Sequence, residues 1–212
     1  MIFIHIPKCG GTAFRSAVQK SLGLPAWLNV WPSPSNTYAY HPMGKPVIMG
    51  GHIPFGFFSQ IMPDAKHAVI LRHPVARIVS YYNFAKRSGN RMTYEANKLS
   101  MSAFVESSCD PDLDNGMVRM LTGVHPYAKV TEKNLAEAIH NLDDCICGDT
   151  DNMQSFVDAV SMQIGHRINT PDKVNVNQDK EEATKADVKA IVEANRYDME
   201  LWDYYTEGRD NG

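Results

Sequence analysis

Six consecutive residues near the start of the chain, Pro7-Lys8-Cys9-Gly10-Gly11-Thr12, have the types and spacing to hold an anion. Adjacent glycines let the backbone turn tightly enough to aim several N–H groups at one point. The spacing Phe14, Val18, Leu22 predicts a helix starting from Thr12, whose positive end adds to the same place. Lys8 brings a full charge, and Thr12 a hydroxyl able to cap the helix. Gly10-Gly11 alone reads more simply as a strand-to-helix turn; the flanking Lys8 and Thr12 favour an oxyanion cradle. The run is not a Walker A loop, G-x-x-x-x-G-K-[ST], because its lysine precedes the glycines. An ATPase or GTPase would also need an acidic magnesium ligand, and none of the expected strands ends in an obvious one.

A second cluster follows the apolar run Ala68-Val69-Ile70-Leu71. Arg72 stands at the carboxyl end of that expected strand, Pro74 opens a helix continued by Val75, Ile78, Val79 and Tyr82, and Ser80 lies about two turns in. A guanidinium and a hydroxyl so placed can clamp a second phosphate some distance from the first. Arg77, three residues before Ser80, reads equally as an exposed helix charge. His52, after Gly50-Gly51, is a candidate general base, because imidazole titrates near working pH. His5 reads as packed within a strand, and the other histidines as loop or surface residues, with His73 set apart by adjoining Arg72.

The elements that must position these groups form an alternating pattern. Strands are expected at Ile2 to Ile6, Val47 to Met49 (ending at Gly50-Gly51), Ala68 to Leu71, and Leu142 to Cys147. Helices are expected from Thr12, from Pro74, and over 101–107, 112–122, 132–141, 150–163 and 182–205, the last broken near Asn195. Residues 25–46, rich in Pro, Asn and Ser with Trp27, Trp31, Tyr38 and Tyr40 interleaved, read as a long loop. The implied fold is α/β and P-loop-like, with a mostly parallel sheet, helices on both faces, and residues 1–212 as a single domain. In such sheets ligands bind beyond the carboxyl ends of the strands.

Composition narrows the function classes. A net charge of −3 argues against a nucleic-acid binder. No apolar run approaches the length of a transmembrane segment, and the N-terminus lacks a basic-then-apolar leader, so a cytoplasmic location is expected. Four scattered cysteines do not make a disulfide scaffold, and Cys145 with Cys147 reads as strand packing rather than half a metal site.

Taken together, Ile4-His5-Ile6-Pro7-Lys8-Cys9-Gly10-Gly11-Thr12 and Leu71-Arg72-His73-Pro74-Val75-Ala76-Arg77-Ile78-Val79-Ser80 resemble the nucleotide-binding signatures of the sulfotransferase superfamily. The nearest likeness is to the branch of heparan-sulfate and uronyl 2-O-sulfotransferases, with further similarity at Gly51-His52, at Asn115 to Gly123 and at Tyr197 to Tyr205. The first segment is similar to the 5′-phosphosulfate loop and the second to the 3′-phosphate motif, in which an Arg and a Ser eight positions on hold the 3′-phosphate. The resemblance implies 3′-phosphoadenosine 5′-phosphosulfate as donor, bound by Lys8, Cys9, Gly10, Gly11, Thr12, Ala13, Arg72 and Ser80. Two departures stand out: His73 replaces a common Asp, and Cys9 replaces a Thr or Ser.

The implied reaction moves a sulfuryl group to an acceptor hydroxyl of a small molecule or glycan, with no metal required. Lys8 would neutralise charge growing on the bridging oxygen, and His52 would take the acceptor proton, the family's catalytic His standing in the matching Gly-His element. Arg119, Asn115, Arg91, Lys86 and the aromatic loop are candidates to face the acceptor, although each charge also reads as solvated. Asn177, Gln178 and Lys180 stand where related enzymes close a loop over the nucleotide. Two other readings remain: a non-catalytic nucleotide-binding module and, further off, a P-loop kinase.

Overall fold

A computed structural model describes residues 1–30, 47–89, 92–171 and 180–210. Five short strands form one sheet: β1 (Ile2–Ile4), β2 (Trp27–Asn29), β3 (Ile48–Gly51), β4 (His67–Leu71) and β5 (Cys145–Asp149). Their order is β2-β3-β1-β4-β5, and every neighbouring pair is parallel. The chain thus belongs to the α/β class. Ile2, Phe3 and Ile4 of the central strand are all buried. Successive residues of a strand point to opposite faces, so both faces of the sheet are covered there.

Helices α1 (Gly11–Leu22), α2 (Pro74–Ala85), α3 (Met92–Lys98), α4 (Met101–Glu106), α5 (Gly116–Thr122) and α6 (Glu132–Asp143) fill the connections up to β5. After it come α7 (Met153–Ile164), α8 (Lys185–Ala194) and α9 (Arg196–Asp210). On one face the core is aromatic: the Phe3 ring lies 4.9 Å from Phe14 of α1, 5.6 Å from Trp27 and 6.3 Å from Phe156 of α7. A second apolar cluster joins α2 to α3, α4 and α8 through Ile78, Tyr82, Phe104 and Ile191. None of the helices among the described residues is long and apolar enough to cross a membrane.

The order of strands creates the place for a site. From β1 the chain runs out to β2 and returns through β3, then crosses to β4 and β5 on the other side. Connections therefore leave β1 and β4 in opposite directions, and a crevice opens at their carboxyl ends. Lys8 and Arg72 follow those two strands.

Several boundaries differ from expectation. β1 stops at Ile4, because Pro7 and the turn take the chain out of the sheet. The expected strand at 142–147 begins later: α6 runs through Leu142 to Asp143, its apolar Ala138 and Leu142 buried, and the strand occupies Cys145–Asp149. The expected helix over 112–122 is two pieces, because Asn115 adopts φ 51 between a 3-10 turn at Pro111–Leu113 and α5. α3 was not anticipated. The expected long loop contains β2, whose Trp27 packs in the core; Trp31, Tyr38 and Tyr40 lie outside the described residues. The break at Asn195 occurs as expected, between α8 and α9.

That break belongs to a buried polar junction. Asn115 accepts at Oδ1 from the N–H groups of Tyr197 and Asp198, and Asp198 accepts from the N–H groups of Met117 and Val118. Each residue thereby satisfies the open amide end of the other's helix. Arg77 of α2 enters the same junction. It is fully buried, pairs with Asp198 at 3.5 Å and donates to the Asp112 carbonyl at 2.7 Å. The exposed helix charge allowed by the sequence is instead a core cation.

Candidate active site

The turn between β1 and α1 is built from two left-handed residues, Lys8 at φ 68 and Gly10 at φ 82. Gly10 is the N-cap of α1, and no side chain caps that helix end. The first N–H groups of a helix have no intrahelical acceptor, so the end carries open donors and positive potential. Thr12 is the second helical residue, exposed, and not the cap; Ala13 follows it half-buried. Cys9 points the other way. Its N–H donates to Ile6 O at 3.3 Å, its side chain lies in the main core, and burial pushes its thiol up to about 12. Both its donor groups are therefore turned out of the cradle, which leaves Cys9 no ligand role beyond shaping the chain.

Arg72, at the carboxyl end of β4, donates from Nη1 to the Lys8 carbonyl at 3.1 Å. This bond ties the two sequence-predicted segments together across the switch between β1 and β4. Arg72 and Ser80 also line one groove of about 420 Å³, whose walls include Val75, Ala76, Val79 and Val188 and whose rim includes Lys180. Lys180 is held there by its neighbour. Asn83 of α2 donates to Glu181 O at 3.0 Å and accepts from Glu181 N at 2.9 Å, and Lys86 pairs with the Glu181 carboxylate at 2.7 Å. Asn177 and Gln178 lie outside the described residues. The Lys8 ammonium is disfavoured by burial, then by the nearby charges of Arg72 and Arg87, so its pKa is lowered. A site with this cation surplus attracts anions.

His52 directly follows β3, which places it on the other side of β1 from Arg72. Its Nδ1 lies 2.8 Å from the His5 carbonyl. A carbonyl oxygen only accepts, so Nδ1 carries the proton and the lone pair belongs to Nε2. The His5 ring stacks on His52 at 4.5 Å and 24°. Burial lowers the pKa of both rings, His5 to about 3, and the charge of Arg15 acts on His52 in the same sense. Arg15 itself is anchored to Asn29 Oδ1 at 3.2 Å. His52 is thus a neutral imidazole with a fixed tautomer at neutral pH, as a proton acceptor requires.

The glycines here serve close approach as much as turning. A Cβ on Gly11 would stand 2.2 Å from the His5 ring, and one on Gly51 would stand 1.8 Å from the Val30 carbonyl. Gly50 and Gly51 lie within β3, Gly50 against the Trp27 ring, rather than beyond the strand. Gly11→Ala is expected to push His5 off its stack and destabilise the fold by about 1–3 kcal/mol. Urea denaturation measures this, and an unchanged midpoint would show that the ring moves at no cost.

Not every candidate joins the site. Arg119 donates to Asp114 O and Oδ2 and to the carbonyls of His125 and Ala128, so four of its five N–H donors secure the turns on either side of α5. Asn115 belongs to the buried junction, Lys86 is paired, and Arg91 lies outside the described residues. His73 packs edge-on against Trp202 at 5.8 Å. One strand does end in an acid: Asp149 closes β5, a fact hidden by the misplaced strand boundary. Its Oδ1 accepts from the Asp151 and Asn152 N–H groups and its Oδ2 from the Tyr205 hydroxyl at 2.8 Å. Cys145 and Cys147 stand on β5, and the Cys145 thiol, raised to about 12 by burial, donates to Asn141 O.

Sequence reasoning missed His5 and Arg15 as neighbours of the base. Arg15 stands one helical turn beyond Thr12, a signal that points to the same face of α1. His5 gave no such signal, because a strand-end histidine ordinarily packs. No protein-family model matches the chain, and no curated protein matches it.

Proposed function

We propose that the chain is a sulfotransferase that moves a sulfuryl group from 3′-phosphoadenosine 5′-phosphosulfate to an acceptor hydroxyl, with a carbohydrate as the favoured acceptor class. One observation carries this reading. The anion turn after β1, Arg72 after β4 and His52 after β3 converge at the carboxyl ends of three neighbouring strands, with Arg72 bonded to the turn itself. The likeness of both segments to sulfotransferase signatures fits that convergence.

In the reaction so read, a new bond forms between the acceptor oxygen and sulfur as the bond from sulfur to the bridging oxygen breaks. The bridging electron pair stays on the 5′-phosphate, where Lys8 and the open N–H groups of α1 offset the growing charge. The acceptor proton passes to His52 Nε2. Arg72 and Ser80 hold the 3′-phosphate in their groove, which fixes the donor from its far end.

Calorimetric titration tests the donor assignment. Adenosine 3′,5′-bisphosphate is expected to bind more tightly than magnesium-ATP. Lys8→Ala and Arg72→Ala are each expected to weaken it roughly 10- to 100-fold, the loss of one charge-assisted contact. Tighter magnesium-ATP binding would replace this reading with a kinase. Tight bisphosphate binding with no transfer of labelled sulfate to a panel of glycans, phenols and steroids would leave a binding module.

A further inference from the structure

The Lys8 ammonium sits over the ring of Phe84, 4.2 Å from its centroid. Phe84 lies in the last turn of α2 and is 43% exposed, an uncommon setting for a phenylalanine. Ser80 stands four residues before it, so the two share one face of the helix. The same segment begins with Arg72, whose Nη1 holds the Lys8 carbonyl. Lys8 is thus gripped at both ends by one stretch of chain, its main chain by Arg72 and its charge by Phe84.

The surroundings of that charge otherwise repel it. Arg72 and Arg87 both disfavour the ammonium, and among the described residues no carboxylate pairs with Lys8. The negative face of an aromatic ring is the attractive partner left to it. We propose that Phe84 is a positioning residue for Lys8, its ring holding the ammonium on the α2 side of the anion turn, beside Ser80 and the phosphate groove. A lysine stem is flexible and loses rotamer freedom when it engages an anion. Holding the stem against Phe84 removes part of that freedom before the donor arrives. What Lys8 then does rests on the sulfotransferase reading; the contact itself does not.

Two variants separate the ring's electrostatics from its bulk. Phe84→Leu keeps an apolar side chain without a π face, and Phe84→Trp restores a stronger one. The Lys8 Nζ titration is followed by ¹⁵N NMR in ligand-free protein, with Lys8→Arg assigning the resonance. In Phe84→Leu the Lys8 pKa is expected to fall, because the ammonium has lost its attractive partner, and in Phe84→Trp to return. In the transfer assay Phe84→Leu is expected to lower kcat about three- to tenfold and to raise the bisphosphate Kd about two- to threefold, less than Lys8→Ala does, because the charge is still present but no longer held. The alkaline limb of the rate profile is expected to move to lower pH alongside the NMR titration. Phe84→Met gives the same readings should the leucine variant fail to fold. An unmoved Lys8 titration and kcat in the leucine variant, or no recovery in Phe84→Trp, overturns the proposal. If the titration shifts as stated but the wild-type chain transfers no sulfate, the holding role stands and the sulfotransferase reading falls.

Discussion

His52→Ala is expected to lower turnover about 10²- to 10⁴-fold, the usual span for a positioned general base. Binding of adenosine 3′,5′-bisphosphate should change little, because His52 follows β3 while the donor contacts proposed above follow β1 and β4. The loss should appear in kcat and kcat/KM together, as it does when an interaction made in the transition state is removed. The wild-type pH profile supplies an independent reading. Only the neutral ring accepts a proton, so activity persists above the His52 pKa and falls as pH drops through it. Burial places that pKa below the ordinary 6.5, so the acid limb should have its midpoint below 6.5. Initial rates measured across the acid and neutral range check both points. Full activity in the alanine variant would remove His52 from the mechanism, and an acid limb centred above 6.5 would contradict its buried, neutral state.

The second large effect is on stability. Asp198→Ala is expected to cost about 3–5 kcal/mol in urea denaturation, because it leaves a buried cation without its partner. Arg77 and Asp198 both have fully buried side chains, and Asp198 also serves the Met117 and Val118 N–H groups. The substitution therefore strands a guanidinium and two amides at once. Arg77 already has two buried nitrogens, Nε and Nη1, without a hydrogen-bond partner, so the junction has no spare acceptor to offer. Adding Arg77→Met to the alanine variant should recover part of the loss, since an apolar side chain of similar length leaves no charge to satisfy. A cost under about 1 kcal/mol for Asp198→Ala would mean that water reaches the junction freely.

The parts of the fold legible in the sequence were those written in local pattern. Phe14, Val18 and Leu22 announced α1, Pro74 announced α2, and the unbroken apolar run ending at Leu71 announced a strand buried on both sides. The strand-turn-helix placement of Lys8 to Thr12 and the shared groove of Arg72 and Ser80 were legible because glycine, proline and an apolar run mark their elements locally. What escaped depends on distant partners. Arg77 looks like any helix arginine until Asp198, Asp112 and Asn195 surround it. Arg119 and Asn115 looked available because polar side chains seldom announce that main-chain carbonyls and amides elsewhere will claim them. The start of β5 was misjudged because Leu142 serves the buried face of α6 as readily as it would serve a strand. His5 and Phe84 are ordinary residues in ordinary elements, and their relation to His52 and Lys8 exists only once β1, β3 and α2 are side by side.

The position of β1 in the sheet also bears on how the protein assembles. Of the five strands of this sheet β1 is made before the others, yet it is the middle strand, with Ile2 facing Met49 on one side and His67 on the other. Parallel pairings between segments so far apart in sequence form slowly, since the intervening chain must be gathered before any contact rewards it. Until β3 and β4 have been made, β1 has neither neighbour, and the carbonyl of Lys8 has no Arg72 to receive. β1 thus completes its pairing only after both neighbours have been made, and until then the nascent polypeptide carries an unpaired, wholly apolar strand. For such a chain, the interval before β4 emerges is when misassembly with other chains is most favoured.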